Sequence, residues 1–311
     1  MIREVSFDQR IEKIGVATNA GFKIFEIAHH IILYEAHFPN GGAKHISILN
    51  DSNLVAACDD QNNVILWDIE HDNVMKQFSP FSESVEKLLF FSDCLLIVTE
   101  CHAHFLNTCD FSEYACVDIP AHSACCISMV QSISQTIVIL PSADGKCLKV
   151  ADYHDPEYEL GNFAIQVSDI NMVQLDREGD FLAMATSGSR NVYLLNIKSL
   201  KLVASYKRGL KQSEINAICF DRFSNYFLLS TNTGTLHIFE VPIPGSNVKP
   251  LEQNRSKYSV SFKKGINSWC AFDVAGYLVF GITSTHNLIQ LKMNTEKDTV
   301  DFIGDEIVLD I

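Results

Sequence analysis

The stretch SYKRGL, residues 205–210, sets two cations side by side, Lys207 and Arg208, and follows them with Gly209. A guanidinium fork matches the oxygens of a phosphate, and an ammonium adds a point charge, so this pair is chemistry for binding an oxyanion. A solvated strand end would carry the same two residues. The local charge argues against that plain reading. From Lys198 to Lys264 there are eleven basic residues and four acids, an excess of +7 in a chain of net charge -14, which leaves -21 on the other 244 residues. A basic face on an acidic body implies an anionic partner on one side only.

Other reactive residue types are present without a reactive pattern. Cys101, His102, His104 and Cys109 invite a zinc reading, but C-H-x-H-x4-C fits no common structural site, and alternation along strands would scatter the four. His122 with Cys125 and Cys126 hints at a nucleophile, yet no partner carboxylate or oxyanion loop accompanies it. No phosphate-cradling glycine loop, nucleophile elbow or paired-carboxylate motif occurs. The expectation is a binding protein, not an enzyme, with no cofactor and no metal. Nucleic acid is disfavoured as the anion, because the basic window lacks interleaved aromatics and the pI is about 5.1.

The ten cysteines are irregularly spaced in mostly apolar runs, and the N-terminal residues MIREVSFDQR lack a secretory h-region. These features predict reduced cytosolic thiols. No apolar run approaches the 18 residues of a spanning helix.

The elements that must position the basic pair are strands. Short segments with period-two or continuous apolar character alternate with Asp-, Asn-, Gly- and Ser-rich turns. One unit recurs seven times at intervals of roughly 40–50 residues, the spacing of propeller blades. Its copies include HISILNDSNLVAACDDQNNVILWDI, INMVQLDREGDFLAMATSGSRNVYLLNI and INAICFDRFSNYFLLSTNTGTLHIFEV. Such a unit cannot bury both faces alone, and seven in a ring cover one another. The predicted fold is all-β: a single seven-bladed β-propeller over residues 1–311. The first and last blades should each supply four strands of their own. Residues 241–257, with three of the eight prolines, read as an exposed loop between the third and fourth strands of blade six.

Read in order, these units resemble the PROPPIN family, the phosphoinositide-binding propellers of autophagy. The opening VSFDQRIEKIGVATNAGFKIFEI is similar to that family's opening, GTLHIF to its GTVHIF strand, and YKRG stands where the family has Phe-Arg-Arg-Gly. The resemblance implies two rim pockets for phosphatidylinositol 3-phosphate or the 3,5-bisphosphate, one on each side of the basic pair. In the second pocket Arg208 would join Thr231, Thr235 and His237 of blade six. Thr235 and His237 are two apart and so share a face. In the first, Lys207 replaces an arginine, Gln166 stands near the family's histidine, Asn191 replaces a threonine, and Arg190 falls in a turn. Gly209 would let the chain turn between blades. The loop offers Lys249 and Arg255 to a membrane, with Ile243, Val248 and Leu251 as a thin apolar wedge.

The function so implied is a phosphoinositide effector and scaffold in autophagy or endosomal traffic. It would be a cytoplasmic monomer, recruited peripherally to autophagosomal precursor or endosomal membranes. The resemblance also implies a large autophagy lipid-transfer protein docking at blades two and three, where the acids of DDQNN and IEHDN lie. The alternative is a protein-interaction scaffold of the same fold that has lost its lipid site.

Overall fold

A computed structural model describes the chain apart from residues 9–11, 40, 50–51, 79–80, 187–190, 208–212, 243–253, 262–267, 274–277, 295–298, 304–306 and 309–311. Each of the seven sequence units folds as one sheet of four antiparallel strands paired in chain order, with one further edge pairing on the fifth and on the last sheet. Among the described residues the helical content is two short 3-10 turns, Ala124–Cys126 and Val167–Asp169. None of the helices is long and apolar enough to cross a membrane.

The sheets fall into two compact units, Met1–Ala124 with the first three sheets and Cys125–Val308 with the other four. In both, the second strand of each sheet is the most buried. Lys13–Thr18, Cys94–Thr99, Phe181–Thr186 and Tyr226–Thr231 are enclosed along nearly their whole length. That explains their unbroken apolar sequences: a strand covered on both faces has no polar side to alternate with. The fourth strands are the exposed ones, as in Asn73–Gln77, where every residue faces solvent.

The cores lie between consecutive sheets. In the first unit Ala17, Phe22 and Ile24 pack on Ile46, Ile48 and Val55, and Leu66 and Cys58 pack on Leu88, Leu95 and Ile97. In the second, Ile139 and Val150 meet Val173 and Leu182, Leu194 and Tyr206 meet Phe227 and Phe239, and Leu236 and Ile238 meet Phe272 and Leu291.

Two side-chain devices recur and set the register. An aspartate closes the first hairpin: Asp8 accepts from the Lys13 amide, Asp176 from Phe181, Asp221 from Tyr226 and Asp273 from Leu278, at 2.6–3.0 Å. Burial pushes the carboxyls of Asp8, Asp176 and Asp221 up, against the pull of those amides. The second hairpin is closed by a short polar residue at or just past the end of the second strand. Thr18, Thr99, Thr231 and Thr283 each donate to a carbonyl three or four residues on, and Asp59 and Ser142 accept amides in the equivalent turns. In the fifth sheet Thr186 holds this position.

The first sheet does contain four strands of its own, from Ile2–Phe7 to Ile31–His37. The last also draws only on its own segment, but its outermost edge is divided. Thr299–Phe302 and Ile307–Val308 pair with different halves of Asn287–Asn294. The loop of the sixth sheet differs from expectation at its returning end. Asn254–Arg255 forms a strand, and it pairs in parallel with the outer strand of the fifth sheet, Lys201–Lys207. The physical reason is the open edge of that strand, whose backbone donors and acceptors would otherwise face water alone. The cysteines are free thiols: Cys58, Cys94, Cys126 and Cys270 are buried, while Cys109 and Cys116 are exposed. Burial pushes Cys94 up to about 11 and Cys58 and Cys270 up to about 12, which keeps them protonated and inert.

Candidate functional site

The strand Lys201–Lys207 ends at the first residue of the basic pair. Alternation turns Tyr206 inward and Lys207 outward. Tyr206 is 2% exposed and lies against Phe227 and Phe239 of the sixth sheet, ring centroids 5.3 and 5.1 Å away. Its hydroxyl donates to the Glu240 carbonyl at 2.7 Å. An aromatic anchor with one satisfied hydroxyl thus fixes the strand end from which Lys207 projects. Arg208 and Gly209 lie outside the described residues.

Lys207 has two neighbours in register. On one side is Asn191, the first residue of the third strand of the fifth sheet. On the other is Arg255, brought there by the parallel pairing of the returning loop. Partners in register point the same way, so an exposed lysine and an exposed arginine stand together at this edge. Nothing in the linear sequence, where they are 48 positions apart, connects them. Lys198 and Lys257 are neutralised locally, by Asp180 at 2.7 Å and Glu240 at 3.1 Å. Among the described residues no ion pair engages Lys207 or Arg255.

The sixth sheet presents the remaining predicted residues. Thr235 and His237 are half-buried on one face of the strand Thr235–Glu240. Thr231 is only 1% exposed. Its hydroxyl bonds Thr235 Oγ1 at 2.7 Å, Thr233 Oγ1 at 2.9 Å and the Thr235 carbonyl at 3.2 Å. It therefore serves the same turn as its counterparts in other sheets, and it orients Thr235 from behind. His237 Nδ1 lies 3.3 Å from Ser256 Oγ, one residue beyond Arg255. This contact ties the imidazole face to the cationic edge. Ser256 is the residue that sequence reasoning missed, since only the loop's return brings it there.

Of the residues predicted for the other pocket, Asn191 stands beside Lys207 in register. Gln166 is exposed just before the 3-10 turn Val167–Asp169. The groove between the fourth and fifth sheets, about 480 Å³, is lined by Phe163, Ile165, Tyr193, Leu200 and Leu202, with Asp169 as its charged residue. None of Gln166, Asn191 and Lys207 is among the residues that line this groove. Arg190 lies outside the described residues, as do Ile243, Val248, Lys249 and Leu251 of the loop.

The acids expected to meet a protein partner are already bonded within the protein. Asp60 pairs with Arg3, and Asp59 accepts from the Gln61 and Asn63 amides. Glu70 accepts from Asn53 Nδ2 at 2.7 Å, and Asp72 accepts from the Tyr34 hydroxyl.

No family model matches the chain. It is 21% identical over 263 residues to autophagy-related protein 18 of Dictyostelium discoideum, covering 83% of this chain and 70% of that protein. Among solved structures, Hsv2p of Kluyveromyces lactis superposes with a TM-score of 0.81 at 14% identity, covering 100% of this chain and 99% of that one. A complex of KlAtg21 with the coiled coil of AgAtg16 gives 0.84 at 12% identity, covering 99% of each chain. Likeness of this extent over the whole length identifies the seven sheets as blades. The chain is a seven-bladed β-propeller, similar in sequence to autophagy-related protein 18 and in fold to Hsv2p and KlAtg21.

Proposed function

We propose that the protein is a non-enzymatic effector in autophagy or endosomal traffic. In this reading it binds a 3-phosphorylated phosphoinositide at the edge shared by the fifth and sixth blades. The observation that supports it is the convergence of Lys207 and Arg255 with the Thr235–His237 face, through the parallel pairing and the His237–Ser256 contact. Arg208, next in sequence after Lys207, supplies the guanidinium fork, Gly209 the turn that follows, and Thr231 positions Thr235. Lys249 and Leu251 of the loop are the further candidates for membrane contact. The relative's name, autophagy-related protein 18, supports the cellular setting. Recruitment is peripheral, from the cytoplasm, and the protein acts as a monomer. The second part of the reading is a protein partner: a large autophagy lipid-transfer protein at blades two and three.

Liposome flotation tests the lipid site. Wild type should float with vesicles containing phosphatidylinositol 3-phosphate and should be lost from the floating fraction in the Lys207→Ala/Arg208→Ala variant. Recovery that is equal with and without the inositide favours a pure protein scaffold. One observation supports that second reading. The Thr231 hydroxyl is consumed by its turn.

A further inference from the structure

We propose that His104, Glu113 and Cys116, on the third blade, bind a divalent cation, with zinc as the metal that suits their donor set. The three ligand atoms lie within 4.8 Å of one another. His104 Nδ1 is 2.8 Å from Glu113 Oε2 and 3.5 Å from Cys116 Sγ. Around a tetrahedral ion with bonds of about 2.0–2.3 Å, ligand atoms stand about 3.3–3.8 Å apart. The sulfur is already at that spacing. The carboxylate, on a half-exposed side chain, needs to withdraw by about half an ångström to admit an ion.

The arrangement depends on a feature that spacing along the chain conceals. His104 and Cys116 are register partners on adjacent strands, His102–Asn107 and Glu113–Asp118. Glu113 is three residues from Cys116, so a regular strand would put it on the opposite face. The register shifts between Phe105 and Leu106, and Glu113 pairs with Leu106 while Ala115 pairs with Phe105. The extra residue, Tyr114, packs by Phe105 on the other face, with centroids 6.1 Å apart, and its hydroxyl reaches Cys94 Sγ. This bulge returns Glu113 to the face of His104 and Cys116. The imidazole is held between the Phe81 and His102 rings, 5.2 and 5.8 Å from its own.

The donor set is one imidazole nitrogen, one thiol and one carboxylate oxygen. Sulfur and nitrogen select zinc-like ions over calcium or magnesium, and three protein ligands leave a fourth position for water. The surroundings are anionic. Glu113, Asp118 and Glu83 are the acids around Cys116. On binding, the Cys116 S–H bond breaks, the sulfur's electron pair goes to the metal, and the proton leaves to buffer.

Cobalt(II) chloride added to the full-length, metal-stripped protein provides the test, since cobalt reports a bound thiolate by a charge-transfer band. We expect that band to grow to one equivalent and to vanish on adding zinc chloride. It should be lost in Cys116→Ser and kept in Cys109→Ser, which alters the other exposed cysteine. Glu113→Gln should weaken cobalt binding while circular dichroism stays that of wild type. No thiolate band in the wild type, or a band that survives Cys116→Ser, overturns the site.

Discussion

Thr231 illustrates how a residue's type understates its task. A hydroxyl near a basic pair reads as a phosphate ligand, yet this one is enclosed and closes a hairpin, as Thr18, Thr99 and Thr283 do elsewhere. Thr231→Val should therefore cost about 1–2 kcal/mol of stability by removing a buried bonding group. Thr235→Val should leave stability within about 1 kcal/mol and reduce inositide-dependent flotation. Urea denaturation beside flotation separates the two, and equal loss of stability in both would remove the distinction. Tyr206 is the neighbouring case. Tyr206→Phe deletes only the bond to the Glu240 carbonyl and should cost about 1 kcal/mol, whereas Tyr206→Ala opens a cavity and should cost about 3–5 kcal/mol.

At the scale of elements, turns and loop returns carry the informative interactions. Glu83 caps the hairpin between Cys94–Thr99 and His102–Asn107, accepting from the Thr99 hydroxyl at 2.6 Å, the Cys101 amide at 3.1 Å and His102 Nδ1 at 2.9 Å. Those donors pull its carboxyl down from 4.5 to about 2. Hydrogen bonding to Glu83 in turn raises the His102 imidazole above 6.5, against the effect of burial. The depressed carboxylate contributes stability above pH 4.5 that is lost as pH falls toward about 2. The raised imidazole contributes below pH 6.5, and that contribution is lost as pH rises through its folded value. The pair is fully effective only between 4.5 and 6.5. Glu83→Gln should flatten both flanks of a plot of thermal midpoint against pH, and an unchanged profile would contradict this account.

The returning strand Asn254–Arg255 makes a separate element-scale prediction. It holds Arg255 beside Lys207, so Arg255→Ala should weaken vesicle binding about fivefold, the equivalent of about 1 kcal/mol for one basic residue at an anionic surface. Flotation against increasing lipid measures this, and an unaltered midpoint would separate Arg255 from the site.

At the scale of the whole molecule, charge asymmetry governs approach to a membrane. A net charge of -14 repels an anionic surface, while the window from Lys198 to Lys264 attracts it. Diffuse attraction should disappear as salt approaches about 1 M, where screening acts over about 3 Å. Headgroup contact in a partly enclosed site should persist. Flotation with phosphatidylserine vesicles should therefore fall steeply with salt, and flotation with the inositide added should fall less. Parallel salt curves would mean that no specific headgroup site exists.

The sequence by itself determined the seven sheets and their order, because burial on both faces imposes continuous apolar strands broken by short polar turns. It also located the basic window and the Thr235–His237 face, which follow from composition and from period-two alternation. Only the tertiary structure decided that Arg255 joins Lys207, that Ser256 meets His237, and that Glu113 shares a face with Cys116. The first two arise from a loop returning to another sheet's open edge and the third from a one-residue bulge. Both change which side chains are neighbours without leaving a periodic trace in the chain.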